Sequence, residues 1–486
     1  MKSLVLPGLS VAIASALAAC TVGPDYHRPS IATPAVFAEA AGADRTAISP
    51  ADADLSAWWT GFNDPRLTSL IARALAGGPS LEQARSRLRE ARLKEIETGA
   101  AEYPRLSASG NAAAIRSNRP SPSPSPSRTA GGPPPTGLTI PSSLNFYSVG
   151  FDASWEVDLF GGTRRAVEGA KANTAASLWA RRDGEVSLVA EVANDYLTLR
   201  ALQARRAIGE AELQRQKDLF TLVQARRRAG FVTGLDVNQQ ANQVATAASQ
   251  LPQLDAEAKA QIHALGVLIG ESPEALTAEL APTGAALPPP PPTLPVGLPS
   301  ELLRRRPDIR QAERRLAASN AQIGVATAAL YPKLNLYLLP SFASMSLGDL
   351  FSSQSLTALG LGTLSQPIFD AGKNRAAVGA AREENSQALL AYKIAVLSAL
   401  RDVEDALARY RSEESRRESL SAAVAAAQGS LAIAQDQYRT GFVTFINVLQ
   451  AQNALLAARD QLTQSQAQEA TDLVAIYKAL GGGWSA

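Results

Sequence analysis

The chain contains two versions of one plan, and that internal repeat constrains its fold more than any other feature. Pro79-Ser-Leu-Glu-Gln83 and Leu88 match Pro307-Asp-Ile-Arg-Gln311 and Leu316, and Tyr103-Pro104-Arg105-Leu106 matches Tyr331-Pro332-Lys333-Leu334 at the same offset. Further on, Gly162-Thr-Arg-Arg165-Ala166 matches Gly372-Lys-Asn-Arg375-Ala376, Gly230-Phe231-Val232-Thr233 matches Gly441-Phe442-Val443-Thr444, and Gly270 answers Gly481. The period is far longer than a solenoid unit, so each copy is half a molecule. The offset falls from 228 to 210 between the second and third matches, which puts 18 extra residues between Pro104 and Gly162. That interval holds Arg119 to Pro141, with eight prolines. Such a run excludes regular structure and reads as a long exposed loop joining two strands. A second proline-rich stretch, Pro282 to Pro307, links the halves.

Each half is expected to hold a helix, a strand pair and two further helices. The clearest strand runs from Val149 to Leu159, where Val149, Phe151, Ala153, Trp155, Val157 and Leu159 alternate with Gly150, Asp152, Ser154, Glu156 and Asp158. A period of two puts the apolar set on one face. A strand of a water-soluble sandwich would carry the same pattern. Weaker partners are Leu106 to Ile115, Leu334 to Phe342 and Leu356 to Phe369. At about 10 residues each they suit tilted membrane-spanning strands. Four strands cannot close a barrel, because the smallest transmembrane barrels need about 8 and an open edge cannot sit in lipid. If the strands span a membrane, several chains must share one barrel, and three copies would supply 12 strands.

No proline occurs from Gly162 to Leu251 or from Ile368 to the C-terminus. Arg164 to Arg228 is rich in Ala, Leu, Arg and Glu, all strong helix formers. One helix over that span would extend roughly 100 Å at 1.5 Å per residue. Leu389, Tyr392, Val396, Ala399, Val403, Ala406 and Tyr410 step by three and four, as do Val186, Val189, Ala193 and Tyr196. That spacing packs helices side by side as coiled coils. Each long helix is expected to stop at a tight turn, Arg228-Ala-Gly230-Phe231-Val232-Thr233 or Arg439-Thr-Gly441-Phe442-Val443-Thr444. Glycine supplies the left-handed C-cap and threonine the next N-cap. The four apolar tip residues could pack into the hairpin or dock a partner, and the sequence leaves both open.

The beginning of the chain supplies an address. Lys2 followed by an apolar stretch from Leu4 to Ala19 reads as a secretory signal, too short to be taken for a spanning helix. It ends in Leu17-Ala18-Ala19-Cys20, which resembles a bacterial lipobox, and Cys20 is the single cysteine. Thr21 follows it where an aspartate would argue against the outer membrane. Acyl chains on Cys20 would hold the protein to a membrane at about 0.8 kcal/mol per buried CH₂.

Other chemistries find little support. A net charge of +2 gives no reason to expect a nucleic-acid partner. Two histidines, two methionines and one cysteine show no metal-site spacing and allow no internal disulfide. There is no nucleophile–base set and no phosphate loop, so neither an enzyme nor a cofactor beyond the covalent lipid is expected. A coiled-coil lipoprotein spacing the outer membrane from the cell wall is the competing function, but a spacer needs no amphipathic strands.

The chain closely resembles the outer-membrane factor family, specifically its lipoproteins paired with RND-type pumps. The segments that carry the resemblance are Cys20-Thr-Val-Gly-Pro-Asp-Tyr-His-Arg-Pro29, Trp58-Trp59 with Phe62-Asn-Asp-Pro65, Leu298-Pro-Ser-Glu-Leu-Leu-Arg-Arg-Arg-Pro-Asp308 and Ala321-Gln-Ile-Gly324. The fold it implies is an α+β membrane protein, a trimeric 12-strand outer-membrane β-barrel continuous with a periplasmic α-helical coiled-coil barrel. Residues 1–19 would be the signal peptide, 20–62 an extended equatorial segment, 63–270 the first repeat, 271–306 the linker, 307–481 the second repeat and 482–486 a tail. Strands are expected at about 104–117, 145–160, 332–343 and 356–369, and helices at 163–229, 235–270, 373–439 and 445–480. The hairpin tips would meet a periplasmic adaptor protein coupled to an inner-membrane RND transporter, making the chain a passive efflux duct. Ile446, Asn447 and Gln450, with Asp236 from the first half, would narrow the periplasmic aperture. Many relatives place aspartates where this chain has Asn447 and Gln450, so its gate is expected to rely on hydrophobic constriction and amides, with weaker cation preference.

Overall fold

A computed structural model describes residues 21–39, 55–116, 143–281, 287–291 and 299–484. Cys20, the signal segment and most of the proline-rich loop and linker lie outside them. The first repeat begins with α1 (Pro65–Gly77) and α2 (Pro79–Gly99), followed by strands β1 (Arg105–Arg116) and β2 (Ser143–Val157). Then come α3 (Gly162–Arg228) and α4 (Gly234–Ile269). A short helix, α5 (Thr277–Leu280), precedes the second repeat. A further helix, α6 (Pro299–Arg305), occupies the end of the expected linker, and the second repeat proper has α7 (Pro307–Ala328), β3 (Lys333–Ser344), β4 (Leu356–Ser365), α8 (Lys373–Arg439) and α9 (Phe445–Ala479).

Where one helix was expected ahead of each strand pair, there are two. The breaks fall at Gly78 and Arg306, each directly before a proline. Proline's ring crowds the preceding residue out of the helical region, and the next helix starts on the proline itself. Two strand ends also differ from the expectation. β4 stops at Ser365, four residues early, just before Pro367, which has no N–H to offer a ladder. β2 stops at Val157, because Asp158 turns away to cap α3, its Oδ2 accepting from Arg164 N at 2.9 Å.

The chain divides into two compact units. The first contains the described parts of Met1–His27, Arg92–Asn173 and Leu316–Gln387. Its centre is one antiparallel sheet in the order β1-β2-β3-β4. The register sets Leu106 opposite Ala153, Trp155 opposite Leu336, Val149 opposite Phe342, and Leu334 opposite Leu364. Opposed residues share a face. One face therefore carries Leu106, Ala108, Phe151, Trp155, Leu334, Leu338, Leu356 and Leu364, and the other mixes Ser107, Asn111, Asp152, Glu156, Lys333, Asn335 and Thr363 with Ile115, Phe146, Leu359 and Leu361. Among the described residues nothing covers the apolar face: Leu106, Phe151, Leu338 and Leu364 are all more than half exposed. Pro340, lacking an N–H, interrupts the β2–β3 pairing between Ser341 and Leu338. Among the described residues β1 and β4 are the two edges, each paired on one side only.

The N-terminal strap belongs to this unit. Val22 N donates to Phe160 O at 3.1 Å, Asn320 Nδ2 donates to Pro24 O at 2.9 Å, and the buried Arg165 reaches Asp25 Oδ1 at 2.7 Å. Gly23 (φ +93°) passes so close to Gly324 that a Cβ on it would lie 2.5 Å from the Gly324 Cα.

The second unit contains the described parts of Arg28–Ala91, Thr174–Arg315 and Ala388–Ala486. Its core follows the three–four spacing: Val186, Val189, Ala193 and Tyr196 on α3 and Tyr392, Val396, Ala399, Val403, Ala406 and Tyr410 on α8 are all buried. Leu389, assigned to the same stripe, is 40% exposed instead, because the stripe's burial begins only at Tyr392. Trp58 stacks on Tyr477 with ring centroids 4.8 Å apart, anchoring the segment before α1. A polar chain lies inside this core: Tyr196 Oη donates to Asp64 Oδ2 at 2.6 Å, Arg200 Nε donates to Tyr196 Oη at 2.9 Å, and Arg200 also donates to Gln203 at 2.8 Å.

Candidate functional site

The two helix hairpins end in turns of the same construction. At the first, Gly230 (φ +81°) follows α3, Gly230 N donates to Arg227 O and Phe231 N donates back to Arg226 O at 2.9 Å. At the second, Gly441 (φ +83°) follows α8, Gly441 N donates to Tyr438 O and Phe442 N donates to Gln437 O at 2.9 Å. This is the six-to-one and five-to-two pattern of a left-handed glycine cap, which the repeated Gly-Phe-Val-Thr predicts. Arg226, Arg227 and Arg228 place positive charge at the C-terminal end of α3, where the helix dipole favours it, and Arg439 does so for α8.

The open alternative for the four apolar tip residues resolves differently for each pair. Phe231 and Phe442 are 80% and 85% exposed. Val232 instead packs against a buried cluster of Val223, Phe445, Val448 and Leu449 that ties the two hairpins together, and Val443 is half-buried. Arg226 adds a cross-hairpin contact, its guanidinium 4.8 Å from the Tyr438 ring centre.

After the second tip, Phe445, Val448 and Leu449 face this cluster while Ile446, Asn447 and Gln450 share the exposed side of the first turns of α9. The positions i, i+1 and i+4 lie together on a helix, so one turn presents all three side chains. Asp236 does something else. Its Oδ2 accepts from Thr233 N at 2.7 Å and from Thr233 Oγ1 at 2.8 Å, and Asp236 N in turn donates to Thr233 Oγ1. It closes a capping box at the start of α4. At the matching position Thr444 Oγ1 donates to Asn447 Oδ1 at 2.9 Å, and the helix start receives no side-chain cap.

The hairpins also differ in how they are glued. In the first, Gln240 Nε2 donates to Gln216 Oε1 at 2.6 Å and Gln216 Nε2 donates to Glu212 Oε1 at 2.6 Å, all three residues being buried. The repeat puts Ala423, Ala427 and Ala451 at the corresponding places of the second hairpin, and alanine offers no such bonds. Sequence reasoning missed this ladder; its signal was the pairing of three polar residues with three alanines across the repeat.

An uncovered apolar sheet face, long paired helices and two exposed phenylalanine tips define a membrane-channel class of molecule, and similarity to known proteins agrees. A family profile described as outer membrane efflux protein matches residues 70–271 and 298–482. The chain is 34% identical over 439 residues to the pyoverdine export outer membrane protein OpmQ of Pseudomonas aeruginosa, covering 89% of this chain and 88% of that one. It is 30% identical over 480 residues to the cation efflux system protein CusC of Escherichia coli, covering 98% of each. Among solved structures, the outer-membrane channel OprN superposes with a TM-score of 0.85 at 35% identity, covering 96% of this chain and 100% of that one. The chain belongs to the outer membrane efflux protein family. It is the outer-membrane duct of an efflux system.

Proposed function

We propose that three copies assemble into one duct, their four-stranded sheets closing a 12-strand barrel in the outer membrane and their hairpins forming a helical barrel in the periplasm. The observation that carries this reading is the sheet itself: among the described residues it has an uncovered apolar face, an opposite face that mixes Ser107, Asp152, Glu156 and Asn335 with Leu359 and Leu361, and two unpaired edges. In lipid an unpaired edge leaves several kcal/mol per backbone group unsatisfied, so the edges need each other. Cys20 is acylated in this reading and holds the N-terminus to the membrane, with the 21–25 strap beside it. Phe231 and Phe442 at the exposed tips dock a periplasmic adaptor coupled to an inner-membrane RND transporter, which supplies the energy.

The conduit is passive. OpmQ is named for pyoverdine export and CusC for cation efflux, yet the chain resembles them almost equally, at 34% and 30% identity. Cargo choice then belongs to the transporter. Ile446, Asn447 and Gln450 narrow the aperture as a hydrophobic and amide constriction, while Asp236, engaged in its cap, contributes little to it.

Single-channel recording of the purified protein in planar bilayers tests the gate. Wild-type protein is expected to give small, stable steps, and Ile446→Ala larger ones with little cation preference. Equal conductance in both would remove Ile446 from the constriction.

A further inference from the structure

The repeat lets one junction inside the chain stand for another that the chain cannot make alone. At the internal junction β2 meets β3. Phe160, just past β2, stacks on Tyr331, just before β3, with ring centroids 4.7 Å apart and planes 20° from parallel. The equivalent of Tyr331 is Tyr103, just before β1, and the two sit in the same local turn: Tyr331 N donates to Ala328 O at 3.1 Å and Tyr103 N to Ala100 O at 3.2 Å. The equivalent of Phe160 is Phe369, just past β4. Tyr103 is 70% exposed, Phe369 90% and its neighbour Ile368 92%. Both aromatic halves of a second stack are thus present, each at an open sheet edge and neither covered.

We infer that Phe369 stacks on Tyr103 of a neighbouring copy of this chain, repeating between chains the Phe160–Tyr331 contact made within each, and that this lock sets the β4–β1 register. The inference rests on the shared-barrel reading and adds the seam to it. Within the chain, Trp155 lies opposite Leu336 and Ala153 opposite Leu338. Carried across the repeat from Phe160 to Phe369 and from Tyr331 to Tyr103, these pairs become Leu364 opposite Ala108 and Gly362 opposite Gly110. All four positions belong to the apolar face, so the face continues across the seam. The alternative of aligning on Gly162 and Gly372 would set Ser365, a polar-face residue, beside Ala108, and a one-residue slip turns every side chain to the wrong side. The extra residue between phenylalanine and glycine in the second repeat is taken up at Ala371, which adopts φ +53°. Ser365 would then lie opposite Ser107 and diagonal to Arg105, matching the diagonal on which Lys333 bonds Glu156 at 3.0 Å inside the chain.

The test is thiol cross-linking in outer membranes with a short bismaleimide, using the double variant Tyr103→Cys/Phe369→Cys. Each single variant and the wild-type chain control for Cys20. Covalent dimers and trimers on a denaturing gel are expected from the double variant alone, and Phe160→Cys/Tyr331→Cys should stay at monomer mass because its link is internal. The native mass is measured on the same preparations. A trimeric mass with only monomer bands overturns the seam and leaves the shared barrel standing; a monomeric mass overturns both. A second series keeps the inference testable if the double variant does not assemble. Phe369→Ala and Tyr103→Ala should each lower the temperature at which the oligomer dissociates in detergent. The two together should lower it no further than one, and Tyr103→Phe should leave it unchanged. Additive losses would contradict a direct stack.

Discussion

Thr233 and Asp236 satisfy each other's orphaned groups at the start of α4, whereas Thr444 and Asn447, their counterparts at α9, leave the helix start without a side-chain cap. An exposed capping group is worth about 1 kcal/mol. Asp236→Ala should therefore loosen the first tip by about that amount, read as faster amide exchange over residues 233–238. Asn447→Asp should slow exchange over 444–449 by completing the second box, and should also raise cation preference at the aperture. Unchanged exchange in both variants would show that the tips are held by the Val223–Phe445 cluster alone.

The polar chain around Arg200 is the most exacting part of the core. Asp64 both caps α1, accepting from Arg66 N at 2.8 Å, and accepts from Tyr196, whose hydroxyl receives Arg200. Asp64→Ala removes the cap and leaves a buried hydroxyl and guanidinium without their anion. A lost cap costs about 1 kcal/mol and an orphaned buried polar group about 1–3 kcal/mol. Chemical denaturation should show a loss of about 2–4 kcal/mol, against about 1 kcal/mol for Tyr196→Phe.

Arg165 moors the N-terminal strap through Asp25 and the carbonyls of Val22 and Gly23, and the guanidinium holds the Asp25 carboxyl below its usual range. Arg165→Met should release residues 21–27 to limited proteolysis. Gly23→Ala should do the same for a different reason, since its φ of +93° and the contact with Gly324 leave no room for a methyl group. Protection equal to wild type in both would mean the strap is held elsewhere.

Burial, with the Glu191 carboxylate nearby, pushes the Asp195 carboxyl from 3.8 up to about 6. A raised carboxyl binds its proton more tightly folded than unfolded, so the contribution of Asp195 to stability is greatest below pH 3.8 and declines as pH rises toward 6. Asp195→Asn should flatten that decline, as measured by thermal melting between pH 4 and 6.5. A variant that keeps the full slope would place its origin in other carboxylates.

What the sequence made legible was periodic. The two-residue alternation from Val149 reports which face of β2 is apolar, and the three–four stripe from Tyr392 reports which side of α8 is buried, because each pattern is a local consequence of backbone geometry. The tips were legible for the same reason, since Gly230 and Gly441 carry the turn within a few residues. Arg200, Gln203 and the Gln240–Gln216–Glu212 ladder were not, because a polar residue inside a helix reads as solvated unless its distant partner is known. The repeat points Asp236 toward the aperture, while its carboxylate bonds Thr233. Ends governed by proline, at Gly78, Arg306 and Ser365, carried a signal in the following residues that outweighs periodicity.

In the shared-barrel reading one chain holds a third of a barrel. The molar mass of the mature protein, extracted from outer membranes in mild detergent and corrected for bound detergent, tests this most directly. A mass of three chains is predicted. A stable monomer would leave β1 and β4 as open edges in lipid and would contradict the shared barrel.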